Sequence, residues 1–255
     1  MARGQLKFNR RRIRGFTGNE LKIIAVLCML CDHIGYMLIE NSMLYGYNPE
    51  YWNMAIATPE GERLYILARI LRMIGRLSFP IFAYMLTEGF IHTKNLRKYM
   101  GRVLILALVS EIPFDLAVFH RAFAFSYQNV CFTLYLGLCA MYFMKRWKKK
   151  FILPYLAVAA MAALSYLIRS DYSIVGVLLI AVFYALRRDR SAGLFVGAVI
   201  SAVESFHYYC TALLAFIPLR FYNGKRGSAG LKYFFYIFYP LHLLIFFAIV
   251  YFGNR

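Results

Sequence analysis

His33 stands in the middle of an apolar stretch, Leu21 to Glu40, with Asp32 beside it. The whole chain has five histidines and twelve acidic residues with which to move protons. An ionisable pair placed halfway along a lipid-spanning helix costs several kcal/mol, so its default reading is a functional position facing a polar interior. With a rise of about 1.5 Å per residue, His33 lies about 16 Å along its helix from Lys22, Glu111 about 14 Å from Arg102 and His242 about 15 Å from Lys232. An imidazole, a carboxylate and a second imidazole, from three helices, thus fall in one layer. Such a layer builds a shared polar cavity.

A neutral imidazole takes up a proton near neutral pH, which makes His33 the candidate general base or nucleophile. Asp32 projects about 100° away around the helix and is a poor direct partner. Glu111, on another helix, is the better orienter of the imidazole. The plain alternative is a histidine bonded to a neighbouring helix for packing alone. Pro113 lies between Glu111 and Asp115 and predicts a kink with a freed carbonyl. Arg69, Arg72 and Arg76 share one helical face and are expected to pair with Asp32 or Asp115, or to hold an anionic substrate. Asp171 opens a later helix, where an acid suits the N-terminus, while Glu88, His92 and His207 lie near the segment edges. Cys28 and Cys31 read as core thiols; no metal is expected, and no glycine-rich nucleotide loop, zinc motif or kinase signature is present.

These side chains need helices to position them. Hydrophobic residues make up 61% and charged residues 16% of the chain, against roughly 25% charged in a soluble domain. The composition fits lipid as solvent. The expected fold is therefore an all-α integral membrane protein, a polytopic bundle of about nine transmembrane helices. The spans are Leu21–Glu40, Met73–Ile91, Tyr99–Phe119, Asn129–Met144, Phe151–Ile168, Tyr172–Leu186, Ser191–Phe206, Tyr208–Phe221 and Tyr233–Phe252. The second can start earlier, from Leu64. The seventh and eighth are short and closely joined, so eight spans plus a broken helix is an alternative. Residues 1–20 form a basic cytoplasmic tail, with Arg3, Lys7, Arg10, Arg11, Arg12 and Arg14 and no signal-peptide cleavage pattern, and residues 21–255 form a single transmembrane domain.

A net charge of +18 would suggest nucleic acid in a soluble chain. Here alternating the spans from a cytoplasmic N-terminus puts most Lys and Arg on one side, as topology demands, and no nucleic-acid partner is expected. The first external loop, Asn41 to Arg63, carries Tyr45, Tyr47, Tyr51 and Trp52 and suits an interfacial flap. Lys94, Arg97, Lys98 and Arg102 could bind the phosphates of a nucleotide cofactor, or serve only as topological charge facing anionic lipid.

Several blocks resemble the TraX family. They are Leu21-Lys22-Ile23-Ile24-Ala25 through Cys31-Asp32-His33-Ile34-Gly35, Gly75-Arg76-Leu77-Ser78-Phe79-Pro80-Ile81-Phe82-Ala83 with Glu88-Gly89-Phe90, and Ser110-Glu111-Ile112-Pro113-Phe114-Asp115-Leu116. Further matches are Gln128-Asn129-Val130, Asp171-Tyr172, Tyr222-Asn223-Gly224-Lys225-Arg226-Gly227 and Tyr239-Pro240-Leu241-His242, collinear from about Leu21 onward. The resemblance implies a bacterial membrane acetyltransferase family whose named member acetylates the N-terminus of a conjugative pilin. The blocks are more weakly similar to the acyltransferase-three superfamily, whose basic residue and catalytic histidine are separated by the ten residues that lie here between Lys22 and His33. Lys stands at Lys22 where that superfamily usually has Arg.

What the resemblance implies is an acetyl group moved from cytosolic acetyl-CoA to an acceptor outside, in the bacterial cytoplasmic membrane. His33, Asp32 and Glu111 would be catalytic. Arg76, Glu88, Asp115, Asn129, Asp171, Tyr239 and His242 would line the acceptor's pocket. Lys22, Lys94, Arg97, Lys98 and Arg102 would hold the phosphates of acetyl-CoA. A proton-coupled carrier of a small anion or lipid-linked sugar would also place histidine and carboxylates at mid-depth, but it usually has related halves, and no internal repeat is found. A non-catalytic assembly subunit of surface-polymer or pilus machinery is a third reading.

Overall fold

The structure, a computed structural model, describes residues 15–46, 48–227 and 231–253. The expected basic tail from Arg3 to Arg14, and Tyr47 of the expected flap, lie outside the described residues.

Helix α1 (Gly18–His33) begins where its sequence caps it. Thr17 Oγ1 accepts from the Glu20 amide at 3.3 Å, and the Glu20 carboxylate accepts from the Thr17 amide at 2.7 Å, a reciprocal capping box. The expected Asn223–Gly227 turn closes over this start: the Gly18 amide donates to the Lys225 carbonyl at 2.8 Å and Asn19 to Arg226 at 2.9 Å. Past His33 the helix does not stop. It changes to a π-helical stretch, Ile34–Met43, which carries the segment three residues beyond the predicted end at Glu40. Long π-helical runs are rare and favour functional positions, and this one starts directly after Asp32 and His33.

The predicted external loop after Asn41 is partly helical. It contains α2 (Pro49–Ile56), capped by Asn48, and the first turn of α3 (Pro59–Gly75), capped by Thr58; each has proline in its first turn, where a missing donor costs nothing. The predicted second span is two helices, because the chain breaks at Arg76–Leu77 before α4 (Ser78–His92). Then come α5 (Leu96–Phe119), α6 (Val130–Arg146), α7 (Leu153–Leu167), α8 (Ser173–Ala185) and α9 (Arg190–Glu204). In place of a regular eighth span stand 3-10 turns at Phe206–Tyr208 and Thr211–Ala215 and the short α10 (Phe216–Arg220). Helix α11 (Lys232–Gly253) closes the bundle. The described residues contain no strand; two isolated bridges, Phe16 with Tyr222 and Gln128 with Ser170, tie loops together.

The central helix α4 packs on α1, α6 and α8, and α5 packs on α6 and α11. Small residues let backbones meet: Ala25, Ala68, Ala83, Ala107 and Ala140 are fully buried. The segment from α1 into its π-helical extension lies close against α3. A Cβ on Gly75 would fall 2.3 Å from the Asp32 side chain, and one on Gly35 3.0 Å from the Ala68 carbonyl. Only hydrogen fits at Gly75.

The helices turn their apolar sides outward. On α5, Ile105, Leu108, Val109 and Ile112 share an exposed stripe, while Ser110 and Asp115 are buried. On α3, Ile66, Leu67, Ile70 and Ile74 are exposed, while Arg72 and Arg76 point inward. A water-soluble bundle has the opposite sign of amphipathicity. Among the described residues two helices are long and apolar enough to cross a bilayer, Gly18–Met43 and Tyr233–Gly253. The other expected spans do not meet that test: α7, α8 and Thr211–Arg220 are shorter apolar helices, and α5 carries Arg97, Lys98, Arg102, Glu111 and Asp115.

Candidate functional site

Two clusters meet where α1 passes into its π-helical extension. The first is a pair of imidazoles. His33 Nδ1 lies 2.7 Å from His242 Nε2. The ring planes differ by 2° while the centroids are 4.9 Å apart, so the rings meet edge to edge through those nitrogens and do not stack face to face. His242 is buried, flanked by Phe238 at 4.9 Å and Phe246 at 5.8 Å between centroids, whereas His33 is half-buried.

The hydrogen bonds assign the tautomers. His242 Nδ1 lies 2.8 Å from the Phe238 carbonyl, which can only accept, so Nδ1 carries the proton. With both rings neutral, His242 Nε2 is then the acceptor and His33 Nδ1–H the donor. The bare nitrogen of His33 is therefore Nε2, the atom a general base needs. A backbone carbonyl, a buried histidine and a half-buried histidine form one chain, with the same logic by which a carboxylate orients a catalytic imidazole.

This changes the expected role of Glu111. The position proposed for it as orienter of His33 is taken by His242. Glu111 instead accepts a short hydrogen bond from the Asn129 side-chain amide and a second from the Asn129 backbone amide at 3.3 Å. Asn129 also donates to the Ala107 carbonyl at 2.9 Å and caps α6 by accepting from Cys131 at 2.9 Å. Glu111 is thus held at the start of α6, within electrostatic reach of Tyr239, whose ring lies 6.5 Å from His33 and 5.6 Å from His242.

The second cluster surrounds Asp32. Arg72 Nη1 lies 2.8 Å from one carboxylate oxygen and Arg76 Nη2 2.7 Å from the other. Arg72 also faces Glu40 at 3.8 Å and Arg76 faces Glu204 at 3.8 Å. Aromatic rings cover the guanidinium faces: Arg72 sits 4.7 Å from the Tyr36 centroid, and Arg69 and Arg76 lie 4.5 Å and 4.8 Å from Tyr208. Of the two acids expected to compete for the three arginines, Asp32 takes Arg72 and Arg76, while Arg69 donates to the His207 carbonyl at 2.7 Å. Asp115 is buried on α5, accepting from the Ala124 amide at 2.7 Å, and so pins the loop that precedes α6.

Asp171 joins the outer side of this cluster. Its carboxylate accepts from Tyr127 Oη at 2.9 Å and from the Tyr172 amide at 3.0 Å, and its carbonyl accepts a short bond from Thr133 Oγ1. Burial, then the Asp171 carboxylate, push the Tyr127 phenol above its ordinary range, so it remains a donor. Tyr172 adopts a left-handed backbone, φ 58°, and stacks on Phe79 at 3.9 Å, with Arg76 5.8 Å from its ring. A non-glycine residue in that region is strained, and here the Phe79 stack helps to hold it.

The remaining predicted residues lie apart from His33. Glu88 reaches His92 at 3.9 Å. Lys22 is half-buried, 5.6 Å from the Phe235 ring. Lys94, Arg97 and Lys98 are exposed at the start of α5, and Arg102 stands over Tyr99 at 5.9 Å. Sequence reasoning missed Tyr36, Tyr172, Tyr208 and Glu204. Only Glu204 had a usable signal, as an acid near the end of the otherwise apolar run Ser191–Phe206.

Fold and site define a helical bundle, apolar outside, whose ionisable groups converge on a histidine pair and a doubly bridged aspartate. A family model described as TraX protein matches residues 17–250, so the chain belongs to the TraX family. It is also similar to a Dichelobacter nodosus protein named "Probable fimbrial assembly protein FimC, serogroup H1", with 26% identity over 252 residues covering 90% of this chain and 94% of that protein. No solved structure matches the chain.

Proposed function

We propose that this protein is a multi-pass acetyltransferase of the bacterial cytoplasmic membrane. It takes acetyl groups from cytosolic acetyl-CoA and gives them to an amine or hydroxyl on the extracytoplasmic side, an acceptor such as a pilin-like N-terminus, an envelope glycan or a lipid. The outward apolar faces of α3 and α5 support immersion in lipid beyond the two helices that can span a bilayer by length and composition. The fimbrial-assembly name of the relative favours a fimbrial subunit among the acceptors. The observation that carries the reading is the Phe238–His242–His33 chain, which leaves Nε2 of His33 free to take a proton.

In this reaction the acceptor nitrogen or oxygen attacks the thioester carbon as His33 Nε2 removes its proton. A carbon–nitrogen or carbon–oxygen bond forms, and the carbon–sulfur bond breaks as the tetrahedral intermediate collapses. The departing thiolate takes the proton back from the His33 imidazolium, so the enzyme returns to its starting state. His242 orients His33 and shares the transient positive charge. Asp32, neutralised by Arg72 and Arg76, is a positioning residue that anchors the helix next to His33.

The test is transfer of radiolabelled acetyl from acetyl-CoA to a pilin-like peptide by protein reconstituted in liposomes. His33→Gln lowers the rate by about 10²–10⁴-fold, the usual worth of a general base. A His33→Gln protein that folds and transfers at the full rate overturns the mechanism. Solute counterflow without any acyl donor would point to a carrier instead.

A further inference from the structure

The cytoplasmic ends of α4, α6 and α8 and the start of α7 enclose a cleft of about 730 Å³ that the proposed chemistry does not use. Five cations line it: Lys145, Lys148, Lys149, Lys150 and Arg187. Its lining contains no carboxylate, and none of the five is in an ion pair among the described residues. None of the residues expected to hold phosphates (Lys22, Lys94, Arg97, Lys98 and Arg102) lines it.

The cleft is built rather than accidental. Its floor is aromatic: Phe90 and Tyr184 are buried and meet edge to face at 5.2 Å. Two of the cations are seated on that floor. Lys145 Nζ lies 5.8 Å from the Phe90 centroid, and the Arg187 guanidinium lies 4.1 Å from the Tyr184 ring while donating to the Tyr184 carbonyl at 2.6 Å. The other three stand around a hydrogen-bonded turn, Trp147 to Phe143 and Lys150 to Trp147, each bond 2.8 Å, with the Trp147 ring stacked on Phe143 at 4.9 Å. Five like charges gathered around one cavity repel each other when it is empty, and a multiply charged anion removes that cost. The volume falls in the range of small-ligand sites and is larger than a bare phosphate needs.

We propose that this cleft binds a phosphate-bearing ligand, its anionic groups on Lys148, Lys149, Lys150 and Arg187 and its organic part against Phe90 and Tyr184. Such a ligand comes from two sources, a soluble nucleotide-type molecule or a phospholipid headgroup. The exposed Phe151 and Tyr155 at the mouth suit a position at the membrane surface, where either can arrive. The proposal rests on the cleft alone and stands independently of acetyl transfer.

The full chain is purified in neutral detergent with Trp52→Phe, leaving Trp147 as the fluorescent reporter beside the cleft. It is titrated with coenzyme A in one arm and with short-chain phosphatidylglycerol in another, against phosphatidylcholine as the uncharged control. The expected result is saturable change with one of the two anionic probes, weakened by added salt. Saturation with coenzyme A assigns a soluble ligand; saturation with phosphatidylglycerol alone assigns a headgroup. Lys148→Gln/Lys149→Gln/Lys150→Gln lowers affinity by about a hundredfold, each lysine being worth a factor of about five near a charged surface. Arg220→Gln/Lys225→Gln/Arg226→Gln, three exposed cations outside the cleft, leaves it unchanged. Single Lys149→Glu serves where the triple variant does not fold. No saturable response to either probe, undiminished binding by the cleft variants, or equal loss in the Arg220/Lys225/Arg226 control set overturns the proposal.

Discussion

Arg72 and Arg76 lie 2.8 and 2.7 Å from Asp32, with their side chains only 15% and 12% exposed and aromatic rings over their faces. Lys148, Lys149 and Lys150 stand at the other end of the bundle, exposed and with no acid lining their cleft. The first group spends its charge on the protein itself: each guanidinium answers a carboxylate, and the product is a fixed geometry beside His33. The second group leaves its charge unanswered and open to an outside anion. Compensated cations position; uncompensated cations are free to bind. The two regions should therefore respond to mutation in opposite ways, one in stability and the other in affinity.

The sharpest break of that contrast is Asp32→Asn. It leaves two shielded guanidinium groups facing each other without their carboxylate, and removal of one partner from such a cluster costs about 3–5 kcal/mol. Thermal unfolding followed by helical circular dichroism should show a large downward shift. A variant that melts like the parent would mean that Asp32 is not the keystone its two bridges imply. Gly75→Ala tests the same cluster from the backbone side. The added methyl would sit 2.3 Å from the Asp32 side chain, so α1 and α3 must separate, at a cost of about 1–3 kcal/mol. Gly101→Ala, where a Cβ meets nothing within 4 Å, is the matched control and should be silent or slightly stabilising.

His242→Phe asks a finer question. The ring is kept, but the acceptor for His33 Nδ1–H is lost, so the tautomer is no longer imposed. The proposed acetyl transfer should fall by about tenfold, a part of what a positioned base contributes, with little change in melting. Nitrogen-15 spectra of labelled histidine should show His33 protonated at Nδ1 in the parent and lose that preference in the variant. An unchanged His33 spectrum would sink the tautomer assignment.

The helical character was legible from composition, and most helix ends fell within a few residues of their predicted positions where caps mark them, as Thr17, Asn95, Asn129 and Asp189 do; Asn48 and Thr58 cap helices inside what was expected to be a loop. The break after Gly75 was not legible, since Arg76-Leu77 contains no helix-breaking residue and the turn is set by α4 packing against α1. The depth count brought His33 and His242 to one level, and they touch. The same count could not tell which way Glu111 turns around its helix, and Asn129 captures it. Depth comes from sequence position alone, whereas facing depends on rotation that neighbouring helices decide. The aromatic lids on the arginines were invisible for the same reason: Tyr36, Tyr172 and Tyr208 are among 21 tyrosines, and nothing local distinguishes them.

The smallest expected effect is the most discriminating. Lys148→Gln/Lys149→Gln/Lys150→Gln removes three charges from a turn whose backbone bonds, Trp147 to Phe143 and Lys150 to Trp147, do not involve the lysine side chains. Surface substitutions of this kind usually stay within about 0.5 kcal/mol. Here the sign should be slightly stabilising, because mutual repulsion is relieved in the empty cleft. That gain should fade in high salt, which screens exposed charges but not the shielded Asp32 cluster. Melting measured against ionic strength separates the two regions directly: the triple variant should converge on the parent as salt rises, while Asp32→Asn should stay displaced. If the triple variant instead melts several degrees lower at every salt concentration, the three lysines are structural, and the division between positioning and binding cations fails.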